Sequence, residues 1–176
     1  MKVIKKQSNS YNCLVCGIDN PLGLKAHFYE MENKMLVGIF EGNNFHQSYP
    51  DRMHGGMISA ILDEVMVRSI WILEPTTWGV TIELNVKFRQ SVPIGHNLKA
   101  IGMITRNTKR IFSAVGVIID EHNNILAESR ANFWKVPNNK IGDLNNYQDH
   151  DVIVHVKDDI TTIDIDNSIF KIDNQK

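Results

Sequence analysis

A histidine, two glycines and an aspartate are placed in this sequence where they could act on a polarised carbonyl group. His54, Gly55 and Gly56 stand directly before a long apolar run, and Asp63 lies inside that run. If the run is a helix, its first residues offer free backbone N–H groups and a positive dipole end to a developing oxyanion. A carboxylate near the carbonyl carbon can act as a general base or as a nucleophile.

The run that carries the aspartate, residues 57–73, predicts a central helix. It is apolar at nearly every helical angle, which indicates a helix covered by protein on most sides, and it is too short and too charged to span a membrane. A carboxylate in such a helix is costly unless it has a partner or a function. Glu64 has a partner at salt-bridge spacing, because Arg68 lies four positions on. Asp63 has none in the helix pattern.

The elements around this helix predict an antiparallel sheet. Residues 27–29 and 35–40 form a hairpin pattern, and short turns join four further strand-like segments, which are 80–89, 97–105, 111–119 and 125–136. The first of these four alternates strictly, which places Val80, Ile82, Leu84, Val86 and Phe88 on one covered face and Thr81, Glu83, Asn85, Lys87 and Arg89 on the other. One long helix against a curved antiparallel sheet is an α+β architecture.

The length and composition fit one domain with an extension. The chain has 176 residues, of which 43% are hydrophobic, so it can build a core. We assign residues 1–137 to the domain, with residues 11–24 as a Cys-, Gly- and Pro-containing lead-in loop. Residues 138–176 are a polar tail, either loosely held or partly ordered through edge pairing of the alternating segments 152–156 and 161–165.

The charge and the apolar runs restrict the classes of partner that this chain is expected to bind. A net charge of -1 and the absence of a basic stripe argue against nucleic acid. The first ten residues lack the apolar core of a signal peptide, and no run is long enough to cross a bilayer. We therefore expect a soluble, cytoplasmic protein with no membrane partner.

Two cysteines, Cys13 and Cys16, are the only thiols of the chain. They could bind a metal together with His27 or His46, but zinc prefers four ligands and only two thiols exist. Small thiols buried in a turn are the preferred interpretation, and the pair fits a reducing compartment better than a disulfide framework. We expect no metal site.

The order of these parts resembles the hotdog-fold acyl-CoA thioesterases of the phenylacetate-pathway type, in the 4-hydroxybenzoyl-CoA thioesterase superfamily. The likeness covers roughly residues 13–137. Five features carry it, which are CLVCGIDNPLGL (residues 13–24), HQSYPDRMHGG (46–56), the acid at 63, TIELNVKF (81–88) and RANFWKV (130–136).

The resemblance implies a homodimer, often paired into a tetramer, that hydrolyses acyl-CoA to free acid and CoA without a metal or cofactor. Its catalytic positions match Asp63 as the carboxylate, Gly55 as the N–H donor and Thr81 as a residue that orients water. Its substrate-binding and loop positions match His54, Gly56, His46 and Gln47. Where some relatives have Asn six residues before the His, this chain has Ser48.

The spacing of the two main groups decides how a site could assemble. Asp63 follows Gly55 by eight residues (63 − 55 = 8), which is roughly 12 Å along a helix axis. One carbonyl group cannot reach both, so we expect the N–H donor and the acid to come from different chains related by a two-fold axis.

Two other functions remain open for such a fold. One is a non-catalytic acyl-CoA-binding protein, and the less favoured one is a hydratase or dehydratase, which generally needs an Asp–His pair. Trp71, Trp78 and Trp134 are interpreted as core or interface side chains, although Trp71 could also line an acyl pocket.

Overall fold

One helix lies against a sheet of seven antiparallel strands in this protein. The computed structural model describes residues 1–137, 154–166 and 168–170. The strands are β1 (Val3–Lys6), β2 (His27–Met31), β3 (Leu36–Glu41), β4 (Thr77–Phe88), β5 (Asn97–Asn107), β6 (Ile111–Ile119) and β7 (Ile125–Pro137), and the helix is α1 (Gly55–Arg68). Short 3-10 turns occupy Asn44–His46 and Ser69–Ile72.

The strand order is β1-β2-β3-β5-β6-β7-β4. The predicted hairpin is confirmed as β2 and β3. The four later strands are antiparallel as predicted, but a sequential meander is confirmed only for β5, β6 and β7, because β4 pairs with β7 and not with β5. The α+β architecture is therefore confirmed. Strand β1 is an addition that the sequence pattern did not predict, because it pairs with β2 across a long stretch of chain.

The main core lies between α1 and the sheet. Fully buried helix residues such as Ile61, Leu62 and Met66 pack against strand residues such as Phe112 and Phe133. The helix approaches β5 closely at Gly102, where an added Cβ would lie 2.6 Å from the carbonyl oxygen of Val65. Apolar burial at this layer holds α1 at a fixed depth on the sheet.

The prediction that protein covers the helix on most sides is wrong for the single chain. Met57, Ala60, Asp63, Glu64 and Val67 are only half-buried. They follow one another at helical spacings, so they form one continuous, partly exposed face that runs beside β4. This face is available to a further protein surface.

The prediction for the faces of β4 is confirmed at Leu84 and Val86, which pack against the core, and wrong before them. Thr81 pairs with the buried Phe133 and Leu84 pairs with the buried Ala131, so both face α1 although they are three positions apart. A register irregularity between Thr81 and Glu83 takes up the extra residue, as a β-bulge does. Val80 and Ile82 are consequently exposed, at 52% and 55%.

Part of the C-terminal tail covers the other face of the sheet. Ile163, Ile165 and Ile169 are buried in a second apolar cluster with Tyr29 and Val37. Lys2 pairs with Thr162 and Asn9 with Val154 through isolated bridges. Residues 138–153, 167 and 171–176 of the predicted tail lie outside the described residues.

Among the residues described, no helix has the length and apolarity needed to span a bilayer.

Candidate active site

The loop before α1 is held by two histidines. His54 is the N-cap of α1, and its Nδ1 accepts a hydrogen bond from the backbone N–H of Gly56 at 2.9 Å. The backbone N–H of His54 donates to the carbonyl of His46 at 2.7 Å. An N-cap satisfies one of the free N–H groups at a helix start, so His54 fixes the beginning of the helix.

His46 and Gln47 stabilise this loop through side-chain hydrogen bonds to backbone groups. The buried His46 ring lies 2.9 Å through Nε2 from the carbonyl oxygen of Leu22, and its Nδ1 accepts from the N–H of Asn43 at 3.0 Å. The Oε1 of Gln47 accepts from the N–H of Asp51 at 3.0 Å. Both predicted substrate-binding side chains are thus engaged in loop hydrogen bonds.

The two glycines differ in what their N–H groups do. The Gly56 N–H is occupied by His54, whereas the Gly55 N–H has no acceptor among the described residues. Gly55 begins α1 and lies next to the half-exposed ring of Phe88. A free N–H at the positive end of a helix is suited to stabilise an oxyanion.

Asp63 lies on the open face of α1 and contacts β4. Thr81 Oγ1 donates a hydrogen bond to Asp63 Oδ1 at 2.8 Å, a contact that the bulge in β4 makes possible. Burial raises the pKa of the Asp63 carboxyl above its usual value, the Thr81 hydrogen bond opposes this, and the charge of Glu64 adds to it. Proton affinity raised by desolvation is a property of carboxylates that act as bases.

A cavity of about 240 Å³ opens beside Asp63. Its walls include Val67, Trp71 and Trp78, and the two indole rings meet edge to face with centroids 5.1 Å apart. Val67 lies one helical turn after Asp63 on the same face of α1, and Trp71 follows in the 3-10 turn at Ser69–Ile72. The sequence interpretation left Trp71 open as a pocket wall and placed Trp78 in the core or an interface.

A larger cavity, about 840 Å³, lies on the opposite face of the sheet. Its lining includes Glu83, Lys87, Glu128, Ile169 and Phe170 but neither Asp63 nor Gly55. The smaller cavity is therefore the better candidate for an active site, because it contains the carboxylate with the raised pKa.

The structure brings together two of the predicted catalytic residues, Asp63 and Thr81, and keeps Gly55 apart from them. Gly55 lies at the first position of α1 and Asp63 eight residues further on, roughly 12 Å along the axis. His54, His46, Gln47 and Gly56 surround the loop at the Gly55 end.

The salt bridge predicted between Glu64 and Arg68 is confirmed, with Arg68 Nε 2.6 Å from Glu64 Oε1. Arg68 is also buried, which the sequence did not predict. Its guanidinium lies 4.9 Å from the Phe28 ring centroid and 4.8 Å from that of Trp71. Stacking on aromatic faces compensates part of the cost of burying this cation.

Comparison with known proteins identifies the fold and a family model that matches part of the chain. The family model of the thioesterase superfamily matches residues 51–127, which include α1 and the Asp63–Thr81 pair. No curated protein matches the chain significantly in sequence.

Solved structures with the same fold share little sequence with the chain. A thioesterase superfamily protein is 20% identical, with a TM-score of 0.64, and the match covers 69% of this chain and 62% of that one. A Haemophilus influenzae thioesterase is 15% identical (TM-score 0.62, 72% and 89% covered), and a phenylacetic acid degradation-related protein of Ralstonia eutropha is 19% identical (TM-score 0.57, 63% and 85% covered). The expected resemblance is supported at the superfamily level: residues 51–127 match the thioesterase superfamily model, and the described chain has the hotdog fold of these solved structures.

Proposed function

We propose that this protein hydrolyses acyl-CoA thioesters to a free acid and CoA, with Asp63 as the general base or nucleophile. The match of residues 51–127 to the thioesterase superfamily model supports thioester hydrolysis in general. The observation that carries the proposal is the Asp63 carboxylate, which is half-buried, bonded to Thr81 and open to a cavity of about 240 Å³. Such a carboxylate can activate water or attack the carbonyl carbon directly.

The oxyanion formed during attack needs donors, and the Gly55 N–H is the best placed one. It is the first N–H of α1 and the positive end of the helix dipole reinforces it. His54 supports this arrangement by capping Gly56, since the cap leaves the Gly55 N–H as the free donor. In this proposal His54 is a positioning residue.

The separation of Gly55 from Asp63 supports a site shared by two chains. A thioester carbonyl bound at Gly55 of one chain would be attacked by Asp63 of another, which requires two α1 helices to run antiparallel around a two-fold axis. An interface of this kind creates two equivalent sites per homodimer. Pairing of two such dimers into a tetramer is an extension of the same proposal.

Strand β4 supports the same pairing. It lies at the end of the sheet, and its outer edge has no strand partner within the described part of the chain. The exposed side chains along it include Val80, Ile82 and Phe88, each more than half exposed. A long apolar edge strand is unfavourable in a monomer and invites pairing with another chain. It also adjoins the half-buried face of α1 that carries Asp63.

A thiol-release assay over acyl-CoA substrates of different length and aromatic content tests the function. We expect catalytic release of CoA for at least one class of substrate. Saturable binding of acyl-CoA without release would contradict the proposal and would favour the alternative, a non-catalytic acyl-CoA-binding protein.

Thr81→Val is expected to move the acid limb of the pH–rate profile to higher pH. The Thr81 hydroxyl lowers the pKa of Asp63 by donating to the charged form. Only the ionised form of Asp63 can act as a base or nucleophile. The activity of the enzyme therefore falls as the pH drops through the pKa of Asp63. Removing the donor raises the pKa, so activity is lost at a higher pH than in the wild type.

The measurement is the pH dependence of kcat/KM, with Thr81→Ser as the matched control. Serine keeps the hydroxyl and should leave the acid limb close to the wild-type position. A limb that stays in place in Thr81→Val, or moves to lower pH, would show that Asp63 does not control it.

A further inference from the structure

The two cysteines lie in one tight turn beside α1. Cys13 and Cys16 are both free thiols, with Cys13 half-buried and Cys16 buried. The Gly17 N–H donates to the Cys13 carbonyl at 2.9 Å and closes the turn. An added Cβ at Gly17 would lie 2.4 Å from that oxygen, so the turn depends on glycine there. This turn brings the two sulfurs together.

The two sulfurs have different environments. Cys13 Sγ accepts hydrogen bonds from the N–H groups of Val15 at 3.3 Å and Cys16 at 3.4 Å. A hydrogen bond from the Cys16 thiol lowers the pKa of Cys13 to about 6, while the same bond and burial raise the pKa of Cys16. The pair therefore consists of a half-exposed thiolate and a buried thiol, the arrangement in which one sulfur attacks and the other resolves.

A fixed cation lies next to this pair. Arg68 Nη2 donates to Cys16 Sγ at 3.0 Å, and its Nη1 donates to the carbonyl of Ser8 at 2.9 Å. The Nε of Arg68 forms a salt bridge with Glu64. The rings of Phe28 and Trp71 lie on the guanidinium. The positive charge of Arg68 lowers the pKa of Cys16 against the larger opposing effects of the Cys13 hydrogen bond and of burial, so it favours loss of the Cys16 proton when this thiol attacks. Glu64 and Arg68 also line the Asp63 cavity.

A metal ion is the competing occupant of this cluster. One ligand atom each from Cys13, Cys16 and Glu64 lies within 4.8 Å of the others. Zinc in structural sites takes four protein ligands, and only three are present among the described residues. Arg68 already contacts Cys16 and Glu64, so a metal cation would have to approach a buried positive charge. The cluster is better suited to thiol chemistry.

We propose that Cys13 and Cys16 form a redox-active dithiol that reacts with low-molecular-weight disulfides and closes to an intrachain disulfide. The Cys13 thiolate attacks one sulfur of the small disulfide, which forms a mixed disulfide and releases one small thiolate. The Cys16 thiol then gives up its proton and attacks Cys13 Sγ, which releases the second small thiol. The protein loses two electrons, and the small disulfide gains them as two thiols.

Intact-mass measurement on the full chain with oxidised glutathione tests this proposal, because Cys13 and Cys16 are the only cysteines. The wild type is expected to lose two hydrogens and to retain no glutathione. Cys16→Ser is expected to retain one glutathione on Cys13, because no resolving thiol remains. Cys13→Ser is expected to react about tenfold or more slowly at neutral pH, because the remaining thiol is fully buried.

Three results would overturn the proposal. The wild type could accumulate a glutathione adduct without closing, Cys13→Ser could react as fast as Cys16→Ser, or one zinc ion per chain could block both thiols until a chelator removes it. Alkylation of the wild type by iodoacetamide needs no substitution and serves as a second measurement. Its rate should rise with a midpoint below the usual cysteine pKa, because the hydrogen bond from Cys16 lowers the pKa of Cys13, and a midpoint at the usual cysteine value would contradict the account.

Discussion

Asp63→Asn is expected to lower kcat by about 10²–10⁴-fold, the usual contribution of a general base, with a smaller change in KM. The amide keeps the size of the side chain and can still accept from Thr81 Oγ1. It cannot take a proton from water or attack a carbonyl carbon. The loss should therefore appear in the chemical step rather than in binding.

Steady-state kinetics by thiol release measure this effect, with Glu83→Gln as the matched control. Glu83 is an exposed carboxylate on β4 that bonds Asn132 on the face away from α1, so its neutralisation should leave kcat near the wild-type value. Wild-type turnover in Asp63→Asn would remove Asp63 from the mechanism. Equal losses in both variants would point to a general effect of charge or stability.

Gly55→Pro is expected to lower kcat by about 10²–10³-fold, the effect of removing one oxyanion donor, without unfolding the protein. Proline lacks the N–H but suits the first position of a helix. The preceding His54 has φ -64° and ψ 137°, the extended conformation that a residue before proline prefers. The substitution therefore removes the donor and preserves the backbone.

Gly55→Ala is the matched control for this variant. Alanine keeps the N–H, and its Cβ would meet the nearest atom of Phe88 at 3.4 Å, so kcat should stay within a few-fold of the wild type. Thermal unfolding of all three proteins shows whether the fold is unchanged. If Gly55→Pro were as active as Gly55→Ala, the oxyanion would be stabilised elsewhere.

The central helix and the positions of most strands along the chain could be predicted because both follow from local hydrophobic periodicity. The pairing of β4 with β7 rather than with β5 could not, because it joins distant parts of the chain. The apolar run after His54-Gly55-Gly56 is the observed α1, although its last residues turn into a 3-10 helix at Ser69–Ile72. The Glu64–Arg68 pair follows from i,i+4 spacing. Strand β1 and the tail segment at Ile163 depend on pairing with distant residues, which no local pattern records.

The faces of β4 show most clearly where the sequence interpretation fails. Strict alternation placed Thr81 and Leu84 on different faces of the sheet. The bulge at Ile82 instead turns both side chains toward α1. No glycine or proline marks this bulge, and an irregularity of one residue changes the face of every residue before it. The Thr81–Asp63 hydrogen bond depends on that change, so periodicity alone could not have placed it.

The role of Trp78 as a cavity wall and the burial of Arg68 beside Cys16 were missed for a related reason. Trp71 and Trp78 are apolar residues in a helical turn and a strand, and their types do not distinguish a pocket wall from a core. The burial of Arg68 between Phe28 and Trp71 depends on three elements that meet only in the folded chain.

The most direct test of the central claim, a reaction centre shared by two chains, is to mix Gly55→Pro chains with Asp63→Asn chains. Each variant alone is expected to be inactive. In a mixed dimer one site carries both defects and the other carries neither, so tagged and purified mixed dimers should show about half of the wild-type activity per dimer. Mixed dimers as inactive as either parent would contradict the shared site, because a centre within one chain would be damaged in both copies.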